Sequence, residues 1–440
     1  MRFASRAART THLLGGLLLL GGTGVLATET LTLRAAIERA LASNEISGIA
    51  AARLEGASAL RRQAIAQLIP ALTLSATATR RAREVTRRID GDEVTVQARD
   101  AYSSQATVET PLFDLRALPL IRAANSGLAA QTIESEELRR ALAFDVADGF
   151  FAVLSAEQFL AAAHRRVEVA QQTVNDSNLR LEAGLANRND LTRTQLELAT
   201  ARLQATQAAN LTTSLRLALA YLIASPVEGE LVSPETEPPV ALNRDELMAR
   251  ALVGRREITA LADRAEEARQ FALAPRLGWV PRLDLRGLYR WTNEAGLSGR
   301  EEDWNFGLDL TWDVFDGGDR AAQAAQREAL AREAERVLAR RQREVALEVD
   351  QASADLATAT AALEQASVQR DVARQNVEEV TERFLNGLAT ALEQTDAQVS
   401  AFEADAEMAR QGFASAVARL SLEEALGAWP IPLDAAEEAP

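Results

Sequence analysis

The residues of this chain that could do chemistry are mainly carboxylates. Glu393 and Asp396 stand three positions apart in a helical stretch and therefore share one helix face. Two acids on one face attract cations, and copies of them around a common axis would raise each other's carboxylate pKa by mutual repulsion. The alternative is a solvated helix face, because exposed acids are common on helices.

Other reactive groups are scarce. The chain has no Cys, which excludes thiolate catalysis, zinc–thiolate sites and disulfides. Of its two His, His12 lies near the N-terminus and His164 stands alone on a helical stretch, which favours a packed or solvated residue over a ligand or base. Gly317-Gly318 precedes a helix but lacks the rest of a phosphate loop. We therefore expect no enzyme, no cofactor and no metal site.

The charge balance narrows the possible partners. The net charge is −15, so the chain would repel nucleic-acid phosphates and we expect no nucleic-acid partner. Apolar residues make up 47% of the sequence and aromatic residues only 5%, a composition that favours closely packed helices over one bulky core.

The N-terminus has the pattern of a secretory signal. Residues 1–27 combine a basic start at Arg2, Arg6 and Arg9 with an apolar run from Leu13 to Leu20 and a small-residue cleavage site ending at Ala27. A membrane anchor is the alternative, although this run is short for a span of about 20 residues. We expect no further apolar run of spanning length, so any other membrane contact should use strands.

A long helix should organise the C-terminal half. Its apolar seam repeats every three or four residues and is interrupted only at Arg370; it runs through Val345, Val349, Ala352, Leu356, Ala359, Leu363, Ala366, Ala373, Val377, Val380 and Phe384 to Gly387. Such spacing predicts a coiled coil, with its partner in the same chain just beyond the glycine. Starting at Arg320, this helix would be about 100 Å long.

The second half of the sequence repeats the first. Pro281, Phe315-Asp316 and Gly387-Leu388-Ala389 correspond to Pro70, Phe113-Asp114 and Gly184-Leu185-Ala186. Each half reads as helix, strand, loop, strand, long helix, glycine turn and return helix. This predicts one repeat over residues 28–225, a Pro-rich linker over 226–241, a second repeat over 242–429 and a disordered acidic tail over 430–440.

Four segments alternate with the period of a strand. We place them at about 70–83, 104–112, 281–293 and 305–315, with a charged, mobile loop between Arg80 and Asp100. In the second pair the apolar face should meet lipid through Leu283, Leu285, Tyr289, Trp291, Leu308, Leu310 and Trp312. Runs of about ten residues with Trp near their ends fit tilted transmembrane strands. A soluble hairpin with one face on a core is the alternative.

Four strands are too few for a conducting barrel, and lipid does not tolerate an open sheet edge. Copies of the chain must therefore combine, and three copies would supply about twelve strands. The fold class we predict is mostly α with membrane β. A long α-helical coiled-coil barrel joins a transmembrane β-barrel that a trimer completes.

Taken together, these features resemble the TolC family of outer-membrane efflux and secretion ducts, from Leu31 to about Trp429. The elements that carry the resemblance are the duplicated halves, the strand entries at Pro70 and Pro281, the run from Val314 to Gly318, the tips from Ala183 to Leu191 and from Asn386 to Glu393, and the ending from Leu420 to Gly427. The resemblance implies a homotrimer in the cell outer membrane with its helices in the periplasm. It implies passive export, with a periplasmic adaptor and an inner-membrane pump or ABC transporter as partners besides outer-membrane lipid.

The resemblance also assigns roles to residues. It implies that the tips bearing Gly184, Leu185, Gly387 and Leu388 meet the adaptor. Glu393 and Asp396 correspond to carboxylates that line the narrow end, and Asp190 to a residue that tethers the closed gate. Two residues depart from the best-known member, since Phe384 and Ala389 stand where it has Tyr and Arg. The closed-state contacts must then differ, and Arg188 could substitute.

One further reading is a periplasmic coiled-coil scaffold or adaptor without a pore. It explains the helices but not the strand pairs with aromatic ends. The sequence does not indicate whether the cargo is a drug, a metal or, as in type I secretion, a protein.

Overall fold

A computed structural model describes residues 30–89, 92–234, 243–294 and 300–431. The predicted signal peptide, residues 235–241 of the predicted linker and residues 432–440 of the predicted tail lie outside these ranges.

Eight helices and eight strands make up the described chain. The helices are α1 (Leu33–Ser43), α2 (Glu45–Ala66), α3 (Ala117–Glu182), α4 (Arg188–Leu222), α5 (Arg244–Gly254), α6 (Arg256–Leu277), α7 (Asp319–Leu385) and α8 (Ala391–Ala425). The strands are β1 (Leu31–Thr32), β2 (Ala71–Arg80), β3 (Val85–Ile89), β4 (Asp92–Gln97), β5 (Asp100–Phe113), β6 (Leu231–Val232), β7 (Arg282–Thr292) and β8 (Glu302–Thr311).

The two longest helices, α3 and α7, have 66 and 67 residues, so each is about 100 Å long at about 1.5 Å per residue. The predicted seam of α7 is confirmed, because every buried residue of this helix except Ala331 lies on the seam. The partner in the same chain is α8, which runs back along α7 after the glycine turn.

The helices lie side by side. Near the sheet, α6 lies between α3 and α7, and α2 covers the other side of α3; towards the far end, α8 and α4 take the corresponding places. The central helix is α3, whose Leu142, Val146 and Phe150 are buried against Ile37 of α1 and Leu219 of α4. Apolar residues thus hold α3 in the interior of the wall.

This packing explains one departure from the sequence analysis. Among the residues that the structure describes, α3 is the one helix long and apolar enough by composition to span a membrane, with a window of mean hydropathy 1.3. The expectation of no such run was wrong. Helix α3 instead packs against α1, α2, α4, α6 and α8 within the chain, and its Leu142, Val146 and Phe150 are buried.

One four-stranded sheet has the order β2-β5-β7-β8, with every neighbouring pair antiparallel. Leu285 faces Leu308, Tyr289 faces Ala106, and Ala106 in turn faces Leu74, so the apolar positions of all four strands share one face. On the opposite face Arg286 pairs with Glu109 at 2.8 Å. The pairing of β5 with β7 joins the two halves of the chain.

The charged stretch between Arg80 and Asp100 is not a loop throughout. It contains the hairpin β3–β4, in which Thr86 pairs with Thr95 and Arg88 with Glu93. Both faces of this hairpin carry polar residues, so its sequence lacks the alternation that marks a half-buried strand. The four sheet strands also differ from the predicted bounds, most clearly β5, which begins at Asp100 rather than near residue 104.

The predicted linker and tail both contain structured residues. In the linker, β6 pairs in parallel with β1, and Leu231 is buried beside Leu31 in the core cluster around Phe150. In the tail, Pro430 is buried and Ile431 packs against the same cluster. The two chain segments therefore complete a core that α1, α3 and α4 begin.

Candidate functional site

The candidate site lies at the ends of α3 and α7 that are opposite to the sheet. At each of these ends a glycine turn reverses the direction of the chain. Gly184 has a φ of 74° and Gly387 a φ of 75°, a left-handed conformation that side chains disfavour. In the first turn the amide of Leu185 donates to the carbonyl oxygen of Arg180 at 2.8 Å; in the second, Leu388 donates to Arg383 at 2.8 Å. Both turns are thus Schellman caps that end a long helix.

Each turn exposes an apolar side chain. Leu185 is 79% exposed and Leu388 is 70% exposed, and each directly follows its glycine. Each tip therefore presents one exposed leucine as a small apolar surface at the end of the helices. Its role as a docking surface stays a prediction.

Asp190 and Glu393 have the same local role. Asp190 accepts a hydrogen bond from the backbone amide of Asn187 at 3.3 Å, and Glu393 accepts one from the amide of Thr390 at 2.7 Å. The side chains of Asn187 and Thr390 accept in return, so both return helices begin with a capping box. An Asn or Thr three residues before an acid is the sequence signal for this box, and from it Asn187 to Asp190 are predicted to cap the first return helix, which is confirmed.

Capping changes the electrostatics of Glu393. The backbone amide and then the hydroxyl of Thr390 donate to its carboxylate, and Arg383 adds positive charge, so the pKa of Glu393 is lowered. The raised pKa expected for a ring of carboxylates depends on other copies of the chain, so it stays a prediction.

Asp396, in contrast, does not cap a helix. Its carboxylate is exposed and has no hydrogen-bond or ion-pair partner among residues 30–89, 92–234, 243–294 and 300–431. It lines a shallow groove of about 270 Å³ between α7 and α8, together with Glu393 and Arg383. The fold therefore brings Glu393 and Asp396 together, whereas Asp190 belongs to the other tip and lies outside this groove.

A contact between the two tips escaped the sequence analysis. The guanidinium of Arg180, near the end of α3, lies 4.1 Å from the centre of the Phe384 ring at the end of α7. It also donates hydrogen bonds to the carbonyl oxygens of Phe384 and Leu385. Phe384 is only 4% exposed. These residues lie far apart in sequence, so only the fold shows their pairing.

Ala389 and Arg188 also bear on the difference from the best-known member. Within a single chain neither of them connects the two tips as Arg180 does. Ala389 is half-buried and lines the groove beside Glu393. Arg188 starts α4, and its side chain has no partner in the part of the chain that the structure describes.

The sheet carries the second candidate surface. The seven residues predicted to meet lipid all lie on or just beyond its apolar face. Leu308, Leu310, Tyr289 and Trp312 are exposed, and Leu283, Leu285 and Trp291 are half-buried. Trp312 lies one residue beyond the end of β8.

The lateral edges of the chain, formed by strands β2 and β8 of the sheet and by helices α4 and α7, are not covered by other parts of the described chain. Strands β2 and β8 each have a single neighbour within the described chain. Helix α4 exposes the leucines Leu196, Leu203 and Leu217, and α7 exposes Val368 and Val372. Unpaired edge strands and exposed apolar rows are each typical of surfaces that another chain covers.

Comparison with known proteins agrees with this geometry. The sequence profile of the family described as "Outer membrane efflux protein" matches residues 36–225 and 247–428. These two segments fall in the two halves of the chain and cover most of it. No curated protein sequence matches significantly.

Several solved structures share the fold. VceC, an outer membrane protein of Vibrio cholerae, is 22% identical with a TM-score of 0.74; the match covers 90% of this chain and 96% of VceC. The Campylobacter jejuni CmeC outer membrane channel is 17% identical with a TM-score of 0.77, covering 90% and 85%. The open state of the Neisseria gonorrhoeae MtrE outer membrane channel is 20% identical with a TM-score of 0.75, covering 90% and 89%.

Proposed function

Because the chain belongs to the outer membrane efflux protein family and is therefore an outer-membrane channel rather than an enzyme, we propose that three copies assemble into one passive export duct. Each copy contributes four strands to a barrel of about twelve in the outer membrane. The helices form a tube in the periplasm, continuous with the barrel.

The observation that carries this proposal is the four-stranded sheet with an exposed apolar face and two unpaired edges. In lipid each unpaired backbone group costs several kcal/mol, so β2 of one copy should pair with β8 of the next. The charged face, with Arg286 between Glu109 and Asp309, would then line the interior. The lipid side would carry Leu283, Leu285, Tyr289, Trp291, Leu308, Leu310 and Trp312.

The helices support the same closure. α4 and α7 lie at opposite sides of each chain and expose apolar residues, whereas α3 and α8 have helical neighbours on both sides. Packing α4 of one copy against α7 of the next would bury Leu203 and Val372.

We assign the two glycine turns to the partner end. The exposed Leu185 and Leu388 suit a periplasmic adaptor that links the duct to an inner-membrane pump or ABC transporter. Glu393 and Asp396 of three copies would form acidic rings at the narrow end, with Asp190 helping to hold it shut. A scaffold without a pore would leave the apolar face of the sheet in water, so we do not favour it.

The mass of the detergent-solubilised protein tests the assembly. We expect a complex of three chains that needs detergent to stay in solution. Leu203→Glu should weaken this complex, because it places a charge in the proposed α4–α7 contact. Leu179→Glu is the matched control, since Leu179 is an exposed leucine on α3, which has neighbours on both sides within its own chain. A stable monomer without detergent would contradict the proposal.

A further inference from the structure

A large groove runs along the helical wall between the tips and the core cluster around Phe150. Its volume is about 1620 Å³, and residues of α3, α4, α7 and α8 line it. Most of the lining is apolar and includes Phe159, Leu211, Leu215, Val368, Phe402 and Phe413. Pockets for small molecules usually have about 300–1,000 Å³, so this groove is large enough to hold one.

The large groove opens on the same side of the wall as the acidic pair near the second tip. It shares two lining residues, Asn376 and Ser400, with the small groove beside Glu393 and Asp396. Along α8 the polar row continues with Glu403, three residues beyond Ser400. The proposed function places this side in the interior of the duct, so the location of the site rests on that function. A neighbouring copy would meet the outer sides of α4 and α7 and leave the groove between them open.

The carboxylates around the large groove lack positive partners. Glu403 lines the groove, is exposed and has no hydrogen-bond or ion-pair partner among the residues that the structure describes. Towards the sheet, Asp145 and Asp148 belong to the row of α3 that enters the groove at Ala152, and within the described ranges they have no such partner either. Partial burial, and then the carboxylates of Asp145 and Glu424, raise the pKa of Asp148 to about 6. Uncompensated negative charge therefore flanks an apolar surface.

The two arginines of the large groove are already engaged. Arg410 pairs with Glu407, and Arg166 pairs with Glu197 of α4. The guanidinium of Arg166 also lies 4.7 Å from the centre of the Phe402 ring. Neither guanidinium is left to balance the unpartnered carboxylates. The ring contact shows in addition that a cation can lie against the aromatic lining.

We propose that this groove binds an organic cation with an apolar body, such as a lipophilic ammonium or phosphonium ion, and that cargo of this class pauses here on its way along the duct. The apolar body would cover Phe159, Leu211 and Phe413, with its charge near Glu403. Removal of apolar surface from water drives the binding. The unpartnered carboxylates favour a cation over an anion of the same shape.

A single thiol can report on the groove, because the chain contains no Cys. Leu211 lines the groove and is 48% exposed. In the purified detergent-solubilised Leu211→Cys protein, tetraphenylphosphonium at ten times its dissociation constant should slow modification by a water-soluble thiol reagent about tenfold. Tetraphenylborate has nearly the same shape and the opposite charge, and at the same concentration it should protect little. Leu179→Cys is the matched control, since Leu179 is exposed on α3 but does not line the groove.

Variants then separate the two contributions to binding. Equilibrium dialysis of tetraphenylphosphonium should show affinity reduced about three- to tenfold by Glu403→Gln, which removes one charge from a partly exposed site. Phe413→Ala should reduce it about tenfold, because apolar contact is lost. Glu364→Gln is the control for charge, since Glu364 is exposed on α7 outside the groove. It should leave the affinity unchanged.

Equal protection by the two ions would overturn the preference for a cation. A Leu211→Cys thiol that tetraphenylphosphonium does not protect would overturn the site itself, also where a second copy covers the groove and the thiol reacts slowly from the start. One chain supplies the whole groove, so binding can be measured whatever the mass of the assembly. Three chains without protection would refute the groove alone, whereas a protected monomer would refute the duct alone.

Discussion

The two hairpin tips of this chain share their turn chemistry and differ in charge. Gly184 and Gly387 have nearly the same φ, and each is followed by an exposed leucine. Asp190 and Glu393 occupy corresponding positions and cap the return helices in the same way. The repeat therefore preserves the residues that both tips need to form the turn.

The differences lie just beyond the caps. Asp396 of the second tip corresponds to Arg193 of the first, and Phe384 corresponds to Leu181. Three residues beyond the cap acid, only the second tip thus has a carboxylate, and only the second tip has a ring that receives Arg180. The comparison separates residues that build a turn from those with a further role, and it makes Asp396 a stronger candidate for the acidic lining than Glu393 or Asp190.

The largest expected effect tests whether the two repeats correspond in the sheet. Leu308 of β8 and Ala106 of β5 are at corresponding positions on the apolar face. Leu308→Arg and Ala106→Arg should each cost about 2–4 kcal/mol near the membrane midplane and reduce the yield of assembled protein. Asp309→Arg, on the opposite face, should be mild. Heat-resistance of the assembly in detergent measures the difference, and equal losses at Leu308 and Asp309 would contradict the assigned faces.

The next effect concerns the ends of the repeats. Ala224 (φ 51°) and Gly427 (φ 76°) both end a return helix in the left-handed region. Gly427→Ala should destabilise by about 3 kcal/mol, since a Cβ would lie 2.3 Å from the backbone carbon of Gly254. Ala224→Gly should instead stabilise by about 1 kcal/mol by relieving strain. Thermal unfolding of the two variants should show opposite signs; a lower melting temperature for Ala224→Gly would show that its conformation is not strained.

A smaller effect on stability, with a larger one on function, is expected at the turns. A Cβ on Gly184 or Gly387 would meet nothing within 4 Å, so only backbone strain of about 1–2 kcal/mol opposes Gly184→Val and Gly387→Val. Each should block export in cells without preventing membrane insertion. Membrane fractionation beside an export assay checks this. Loss of the trimer would mean that the turns serve folding alone.

The smallest effect is electrostatic. Glu393→Gln with Asp396→Asn should reduce the preference of the pore for cations and its block by multivalent cations. Of the single variants, Asp396→Asn should act more strongly, because the Glu393 carboxylate is engaged by Thr390. Arg193→Gln, at the corresponding position of the first tip, is the control. Planar-bilayer recording decides it, and unchanged selectivity in the double variant would place the constriction elsewhere.

The long helices and the apolar face of the sheet could be predicted because their signals are periodic and long. The seam from Val345 to Phe384 covers many turns, and the alternation in β7 and β8 covers about ten residues each. The hairpin β3–β4 could not be found in this way, since Arg87 and Arg88 on adjacent positions leave neither face apolar. The two-residue strands β1 and β6 are too short for any period.

The candidate site was predictable only in part. The positions of Gly184, Gly387, Glu393 and Asp396 follow from the repeat and the helix pattern. The contact of Arg180 with Phe384 depends on how two distant hairpins pack. Local sequence carries no information on that register.

The short parallel pair β1–β6 has a consequence for the order of folding. A chain exported behind an N-terminal signal enters the periplasm with its first repeat leading, so β1 at Leu31 can join β6 at Leu231 before the second repeat has arrived. The sheet cannot follow, because β5 needs β7, which ends at Thr292. The helical part of the first repeat can therefore form early, while β2 and β5 wait with an open edge and an apolar face. During that interval the exported chain is most exposed to aggregation, and a holding chaperone would have most to protect.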